Sequence, residues 1–330
     1  MMKISLKSKV FILCAKVAVL CLLTACSPNL ATSPDSPSLF SSPHITEHIF
    51  VSFDNTELPL RTWLPADEIK GVVIALHGFN DYSNFIKDDA QFFIERKLAL
   101  YAYDQRGFGE SITRGRWSGW QAMTDDLATF VTVIQHVHPG IPVYILGDSM
   151  GGAVAIVTMT QDNPPDVQGV ILAAPAVWAR SEMPFYQRFA LWIGAHTIPW
   201  EKVTGQSLGI IASDNIEMLR KLGKDPLVIK ETRIEVLYGL SNLMDKAFDS
   251  AERFEDNSLI LYGEKDQIIP RKPVFDFYKQ LPLRSRDQQR MILYENGYHM
   301  LLRDLQSAKV LTDIVGWIDD KTRPLFYAKN

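Results

Sequence analysis

The chain has 330 residues, of which 47% are hydrophobic and 22% charged, and its formal net charge is −4. That is enough apolar material for one large core, within the size range of a single α/β domain. No excess of basic residues is present, so nucleic acid is excluded as the expected partner.

The amino-terminal segment stands apart. Lys3, Lys7, Lys9 and Lys16 occur with no acid before Cys26, Val17 to Leu23 is a short apolar run, and Leu23-Thr24-Ala25-Cys26 closes it. A basic start, a brief apolar stretch and small residues before a cut make residues 1–25 a secretory signal. The apolar run is too short to span a bilayer, which takes about 20 residues. The closing tetrapeptide resembles the lipobox of bacterial lipoproteins. That resemblance implies cleavage before Cys26, diacylglycerol on its thiol and an acylated new amino terminus. Several acyl chains anchor a protein stably where one binds only marginally. Ser27, rather than Asp, follows the cysteine, which in the lipoprotein pattern favours the outer membrane of a Gram-negative cell. The alternative is a plain cleaved signal, or an uncleaved anchor, with an incidental cysteine. All three cysteines, Cys14, Cys21 and Cys26, lie in this segment or at its end, so no internal disulfide is expected in the mature chain. Loss of the four lysines and no acid takes the charge from −4 to −8, which disfavours anionic polymers.

Residues 26–45 are dominated by "SPNLATSPDSPSLFSSP", a Ser/Pro stretch without period that reads as a tether. A single domain over 46–325 follows. "HIFVSF" and "LPLRTWLP" read as an antiparallel pair. "GVVIALHG", "LALYAYDQRG", "VYILGDS", "GVILAAPAV", "SLILYGEKD" and "RMILYENG" are short apolar runs ending in turn or polar residues. Helical patterns such as "FIKDDAQFFIERK" and "WQAMTDDLATFVTVIQHV" lie between the central ones. This alternation predicts a mostly parallel sheet covered by helices on both faces. Ligand chemistry in such sheets sits at the carboxyl ends of the strands. The acidic pairs at 88–89 and 125–126 fall on helix patterns and read as solvated faces. Between about 179 and 257 the alternation breaks into helical patterns with no strand, which suggests an inserted cap. Its Phe185, Phe189, Leu191, Trp192 and Trp200 form either the cap's own core or an apolar entrance.

"GDSMGG" contains G-x-S-x-G, a pattern that chance supplies in about one chain in ten of this length. Here an apolar strand precedes Ser149 and "GGAVAIVTMT" starts a helix at once, the context this nucleophile motif requires. Gly147 and Gly151 avoid clashes where the backbone crowds, and the helix amino end favours developing negative charge. A serine nucleophile needs a base. His44 and His48 flank the tether, His136 and His138 end a helix pattern, His196 lies in the cap and His77 suits a loop-shaping role. His299 remains, just after the last strand-like run. Asp266, after a strand and before His299, completes the order Ser, Asp, His; Glu264 and Asp104 also end strands and are the alternatives. Two backbone N–H groups are expected to hold an oxyanion: Met150, directly after the nucleophile, and Phe79, in the loop after "GVVIALHG". "DQRGFGES" lacks the full glycine pattern of a nucleotide loop and reads as a structural loop. No His, Cys and carboxylate spacing indicates a metal, and no cofactor is expected.

"HGFNDYSNF", "YAYDQRGFGES", "GDSMGG", "LYGEKDQIIP" and "NGYHMLLRD" resemble the monoglyceride lipase and lysophospholipase group of α/β-hydrolases, often filed with serine aminopeptidase-like hydrolases. The resemblance runs from about residue 48 to about 320, and "DPLVIKETRIEVLYGLSNLMDKA" is similar to that group's cap helices. It implies Ser149, Asp266 and His299 as a triad, with Phe79 and Met150 as oxyanion donors. Monoglyceride lipases typically have His before the nucleophile, whereas this chain has Asp148. The expected function is hydrolysis of carboxylic esters, of monoacylglycerols or lysophospholipids, by a membrane-anchored envelope protein. An amidase or peptidase would use the same residues, and a surface lipoprotein that only binds is the non-enzymatic alternative.

Overall fold

A computed structural model describes residues 42–205 and 209–321. The segment read as a signal, Cys26 and the Ser/Pro stretch up to residue 41 lie outside the described residues, as do positions 322–325. The chain begins with the antiparallel strands β1 (His44–Ile45), β2 (Ile49–Val51) and β3 (Glu57–Trp63); β1 thus occupies the last two positions of the stretch read as a tether. Next come β4 (Gly71–Leu76), the short helix α1 (Ala90–Ile94), β5 (Leu98–Tyr103) and α2 (Trp120–Val137). Then follow β6 (Val143–Asp148), α3 (Met150–Met159) and β7 (Gly169–Ala173). The intervening region holds α4 (Phe185–Thr197), β8 (Lys202–Val203), α5 (Ile216–Lys224), β9 (Thr232–Arg233) and α6 (Ile234–Asp249). The chain closes with β10 (Ser258–Gly263), α7 (Arg271–Gln280), β11 (Gln289–Tyr294) and α8 (Ser307–Asp319).

Among the described residues nine strands form one sheet in the order β1-β2-β3-β5-β4-β6-β7-β10-β11. All pairs from β5 to β11 are parallel. Every residue of β4, β5, β6, β7 and β10 is buried, which explains why these strands read as unbroken apolar runs rather than alternating ones. Alternate side chains of β4 go to opposite faces. Val72, Ile74 and Leu76 join a core with Phe130 of α2, Val154 of α3 and Leu243 of α6. Val73 and Ala75 join a second core with Phe93 of α1 and Ile314 and Trp317 of α8.

Four local expectations change. The helical pattern over 85–97 is a 3-10 segment, Ser83–Asp89, running into the short α1. Within 179–257 two strands do occur, β8 paired antiparallel with β9; at two residues each they are too short to leave an alternating pattern. The last helix of that region, α6, buries Leu243, Met244, Ala247 and Phe248 against the sheet layer. The aromatics of the region do not build a core of their own, since Phe185, Phe189, Trp192 and Trp200 are all exposed, Phe185 at 79%.

The acidic pairs also divide. Asp88 and Asp125 are exposed, but Asp126 is buried and meets Arg106, with Nε to Oδ2 at 2.6 Å and Nη2 to Oδ1 at 2.7 Å. Arg106 also reaches Asp54 with two hydrogen bonds of 2.8 Å. The loop "DQRGFGES" is therefore pinned from beneath to both α2 and the turn after β2.

Candidate active site

Strand β6 lies between β4 and β7 at the centre of the sheet and delivers Ser149 at its carboxyl end, where α3 begins. Ser149 has φ 49° and ψ −108°, a sparsely populated conformation that persists only when its surroundings over-determine it. Its N–H donates to the Ala173 carbonyl (2.8 Å), and its own carbonyl accepts from Ala153 and Ala176. The flanking glycines are required by close approach. A Cβ on Gly147 would stand 2.6 Å from the Gly151 backbone, and one on Gly151 would stand 2.3 Å from the Leu76 carbonyl oxygen.

Asp266 and His299 arrive from the ends of β10 and β11. The two loops touch backbone to backbone. Lys265 N–H donates to the Gly297 carbonyl (2.9 Å) and Glu264 N–H to the Tyr294 carbonyl (2.9 Å). A Cβ on Gly263 would stand only 2.4 Å from the Gly297 oxygen. Asp266 Oδ1 accepts from the N–H groups of Ile268 (2.7 Å) and Ile269 (3.0 Å). This leaves Oδ2 for His299 Nδ1 at 2.8 Å, while His299 Nε2 lies 2.9 Å from Ser149 Oγ. With Asp266 ionised, Nδ1–H donates and Nε2 is left to accept the serine proton. Burial works against the imidazolium form of His299, yet the charge and hydrogen bond of Asp266, with the charge of Asp148, raise it above its ordinary value.

The Met150 and Phe79 N–H groups have no hydrogen-bond partner among the described residues. Met150 opens α3, where backbone donors are unpaired by geometry. Phe79 follows Gly78, which abuts Asp148 and Ser149. The loop after Phe79 is tied to the 179–257 region. Asn80, at φ 65°, accepts from Ile229 N–H (2.9 Å) and donates Nδ2–H to Thr232 Oγ1 (2.7 Å), and the Tyr82 hydroxyl donates to Asp225 (2.7 Å).

The alternatives sit elsewhere. Glu264 faces Arg271 at 3.8 Å. Asp104 is buried and accepts from Ser83 N–H (2.9 Å) and Glu110 N–H (2.7 Å), holding two loops together. His77 donates from Nδ1 to the Gly78 carbonyl and accepts Gln105 N–H at Nε2 (2.9 Å); burial pushes it below its ordinary value, so it stays neutral. His136 and His196 bond to their own helices, and His138 meets the Tyr101 hydroxyl. Sequence reasoning missed one contact here. Arg303, in the quoted "NGYHMLLRD", reaches Asp81 of the Phe79 loop with Nη2 to Oδ2 at 2.7 Å. Its position four residues after His299 was the available signal.

Known proteins resemble this chain over most of the described domain. A family model described as serine aminopeptidase, S33 matches residues 67–306. The human monoglyceride lipase is 26% identical over 306 residues, covering 88% of this chain and 94% of that protein. The monoacylglycerol lipase of Mycolicibacterium smegmatis is 26% identical, covering 83% of this chain and 96% of that protein. Among solved structures, a soluble variant of the Saccharomyces cerevisiae monoglyceride lipase superposes with a TM-score of 0.70 at 20% identity, covering 88% of this chain and all of that one. A carboxyl esterase from Bacillus coagulans gives 0.68 at 19% identity, covering 83% and 97%. The sheet order, the strained serine at the end of β6 and the match over most of the domain have one explanation: this chain is an α/β-hydrolase of the serine aminopeptidase S33 family.

Proposed function

We propose that the protein is a serine hydrolase of single-chain lipid esters, monoacylglycerols or lysophospholipids, using Ser149, His299 and Asp266. The observation that carries this reading is the continuous hydrogen-bonded chain from Asp266 through His299 to Ser149 Oγ, beside two N–H groups without a partner among the described residues. As Ser149 Oγ attacks the ester carbonyl, its proton moves to His299 Nε2, and Asp266 steadies the resulting imidazolium. The N–H groups of Met150 and Phe79 receive the tetrahedral oxyanion. The imidazolium then protonates the leaving alcohol. Water, deprotonated by the same imidazole, releases the fatty acid from the acyl-enzyme.

The lipid class is supported by relatives named monoglyceride lipase and by the apolar residues exposed on and after α4. A panel of monoacylglycerols, lysophospholipids, p-nitrophenyl esters and aminoacyl-naphthylamides tests it. Turnover is expected on the esters and on at least one lipid class; release from the naphthylamides alone would replace the lipase reading with a peptidase one. If a fluorophosphonate fails to label the folded protein, the non-catalytic binding reading takes its place.

The location belongs to the same proposal. Acyl groups on Cys26 would hold the enzyme to a membrane of the bacterial envelope, with Ser27 favouring the outer membrane if the source is Gram-negative. Cys26→Ala is expected to move the protein from the membrane to the soluble fraction; unchanged detergent partitioning would refute lipid anchorage.

A further inference from the structure

Of the two N–H groups assigned to the oxyanion, that of Met150 follows Ser149 directly and keeps its place with it. Phe79 comes from elsewhere in the chain, three residues beyond the end of β4 at Leu76. It stands in a turn, Gly78 to Asp81, closed by the Asp81 N–H on the Gly78 carbonyl at 3.3 Å. Asn80 has φ 65°, while Phe79 is not among the residues of positive φ. A positive φ at the third position alone is the type II arrangement. The direction of the Phe79 N–H therefore follows the orientation of this turn.

The far end of the turn is held by the loop that carries His299. Asp81 Oδ2 accepts from Arg303 Nη2 at 2.7 Å, and Asp81 Oδ1 accepts the Tyr82 N–H at 2.9 Å. The Arg303 side chain is 11% exposed and that of Asp81 6%, so water competes little for the pair. No other hydrogen bond joins these two loops among the described residues. Arg303 is itself fixed at its backbone. Its N–H donates to the Met300 carbonyl (2.8 Å), and its carbonyl accepts from Asn215 Nδ2 (3.0 Å). Asp304 accepts the Tyr298 N–H (2.7 Å), which closes the chain around His299.

The loop after Phe79 has other attachments. Asn80 bonds to Ile229 and Thr232, Tyr82 to Asp225 and Ser83 to Asp104. None of these reaches the His299 loop. What the Arg303 pair adds is a fixed spacing between the turn and His299.

We propose that Arg303 and Asp81 are positioning residues that set the Phe79 N–H against His299, so that one tetrahedral intermediate can engage both. The inference rests on the oxyanion role given to Phe79 in the proposed function. Neither side chain has to touch the substrate. The oxyanion must come within reach of Phe79 while the leaving oxygen faces His299 Nε2, and a displaced turn spoils the first without altering the second. Losing an oxyanion donor outright costs about 10²–10³-fold in kcat, and misplacing one costs less.

The test uses Arg303→Met, Asp81→Asn and the double variant in the full chain, with thermal melts to identify folded protein. Met keeps the aliphatic length of Arg303, and Asn keeps an acceptor for the Tyr82 N–H. On p-nitrophenyl butyrate each single variant is expected to lose about 10- to 50-fold in kcat, with KM within about threefold of wild type. The double variant is expected to be no slower than the worse single one. Inhibition by an alkyl boronic acid, whose adduct on Ser149 places an oxygen among the oxyanion donors, should weaken in parallel with kcat. Type II turns accept Pro at their second position, so Phe79→Pro removes the donor and keeps the turn. Adding Arg303→Met to it should cost less than about twofold; if Phe79→Pro does not fold, the boronate series decides alone. An unchanged kcat in folded Arg303→Met would make the pair a structural tie only. Lost kcat with unchanged boronate inhibition, or a loss repeated in full on Phe79→Pro, would show that the pair does not act through Phe79. Each of these overturns the proposal. A wild type that neither hydrolyses the ester nor takes a fluorophosphonate would instead refute the proposed function, and this inference with it.

Discussion

Ser149→Ala is expected to lower kcat for an ester substrate on the order of 10⁶-fold, and His299→Ala to do the same. Under the proposed mechanism the two act as one unit, so the double variant is no slower than either single one. Asp266→Ala is expected to retain more, with a loss on the order of 10⁴-fold, because Ser149 and His299 both remain and only the orientation and charge stabilisation of the imidazole are lost. Alanine keeps the Cβ at position 149 and therefore the same strained backbone. Melting temperatures should accordingly stay close to wild type, which separates lost chemistry from lost folding. Steady-state rates on p-nitrophenyl butyrate, at protein concentrations set by absorbance, measure all four variants. A Ser149→Ala protein that kept more than about one part in a hundred of the activity would remove Ser149 from the mechanism.

The second large effect is on stability. Arg106→Met leaves Asp126 buried without its counter-ion, with only Ser52 Oγ still donating to it at 2.5 Å. Breaking a buried pair in this one-sided way costs about 3–5 kcal/mol, a fall in Tm of about 10 °C for a domain of this size. Burial already raises the Asp126 carboxyl against the pull of Arg106, and losing Arg106 raises it further. A raised folded-state value means that the folded protein binds the proton more tightly, so the variant's deficit should shrink as the pH falls and Asp126 is neutralised. Adding Asp126→Leu to Arg106→Met should recover part of the loss. Urea denaturation at pH 5 and pH 8 checks both statements. A Tm within 2 °C of wild type would show that the pair contributes little.

Chain order carried most of the architecture. Parallel strands buried on both faces are continuous apolar runs, and "GVVIALHG", "VYILGDS" and "SLILYGEKD" each form a strand where the pattern put one. Because the sheet is parallel, the ends of β4, β6, β10 and β11 open on one edge, so Phe79, Ser149, Asp266 and His299 could be grouped without coordinates. What the sequence left hidden has no period. Arg303 meets Asp81 across 222 positions, and Asp126 looks like any acid on a polar helix face until Arg106 is placed beneath it. The two-residue strands β8 and β9 are below the length at which alternation can be seen. The exposed aromatics on and after α4 break the rule that large apolar side chains are buried, a departure a pattern cannot signal.

The meeting of Gly263 and Gly297 has a consequence for how such an enzyme can diversify. Asp266 and His299 are indexed to each other by main-chain hydrogen bonds between their loops. The residues that decorate those two loops, such as Lys265 and Asn296, bond to each other at the surface. Substituting them is expected to leave the distance between Asp266 and His299 in place. Substituting the two glycines is not. What the rim of the site meets and how its centre is spaced are thus set by different parts of the same two loops.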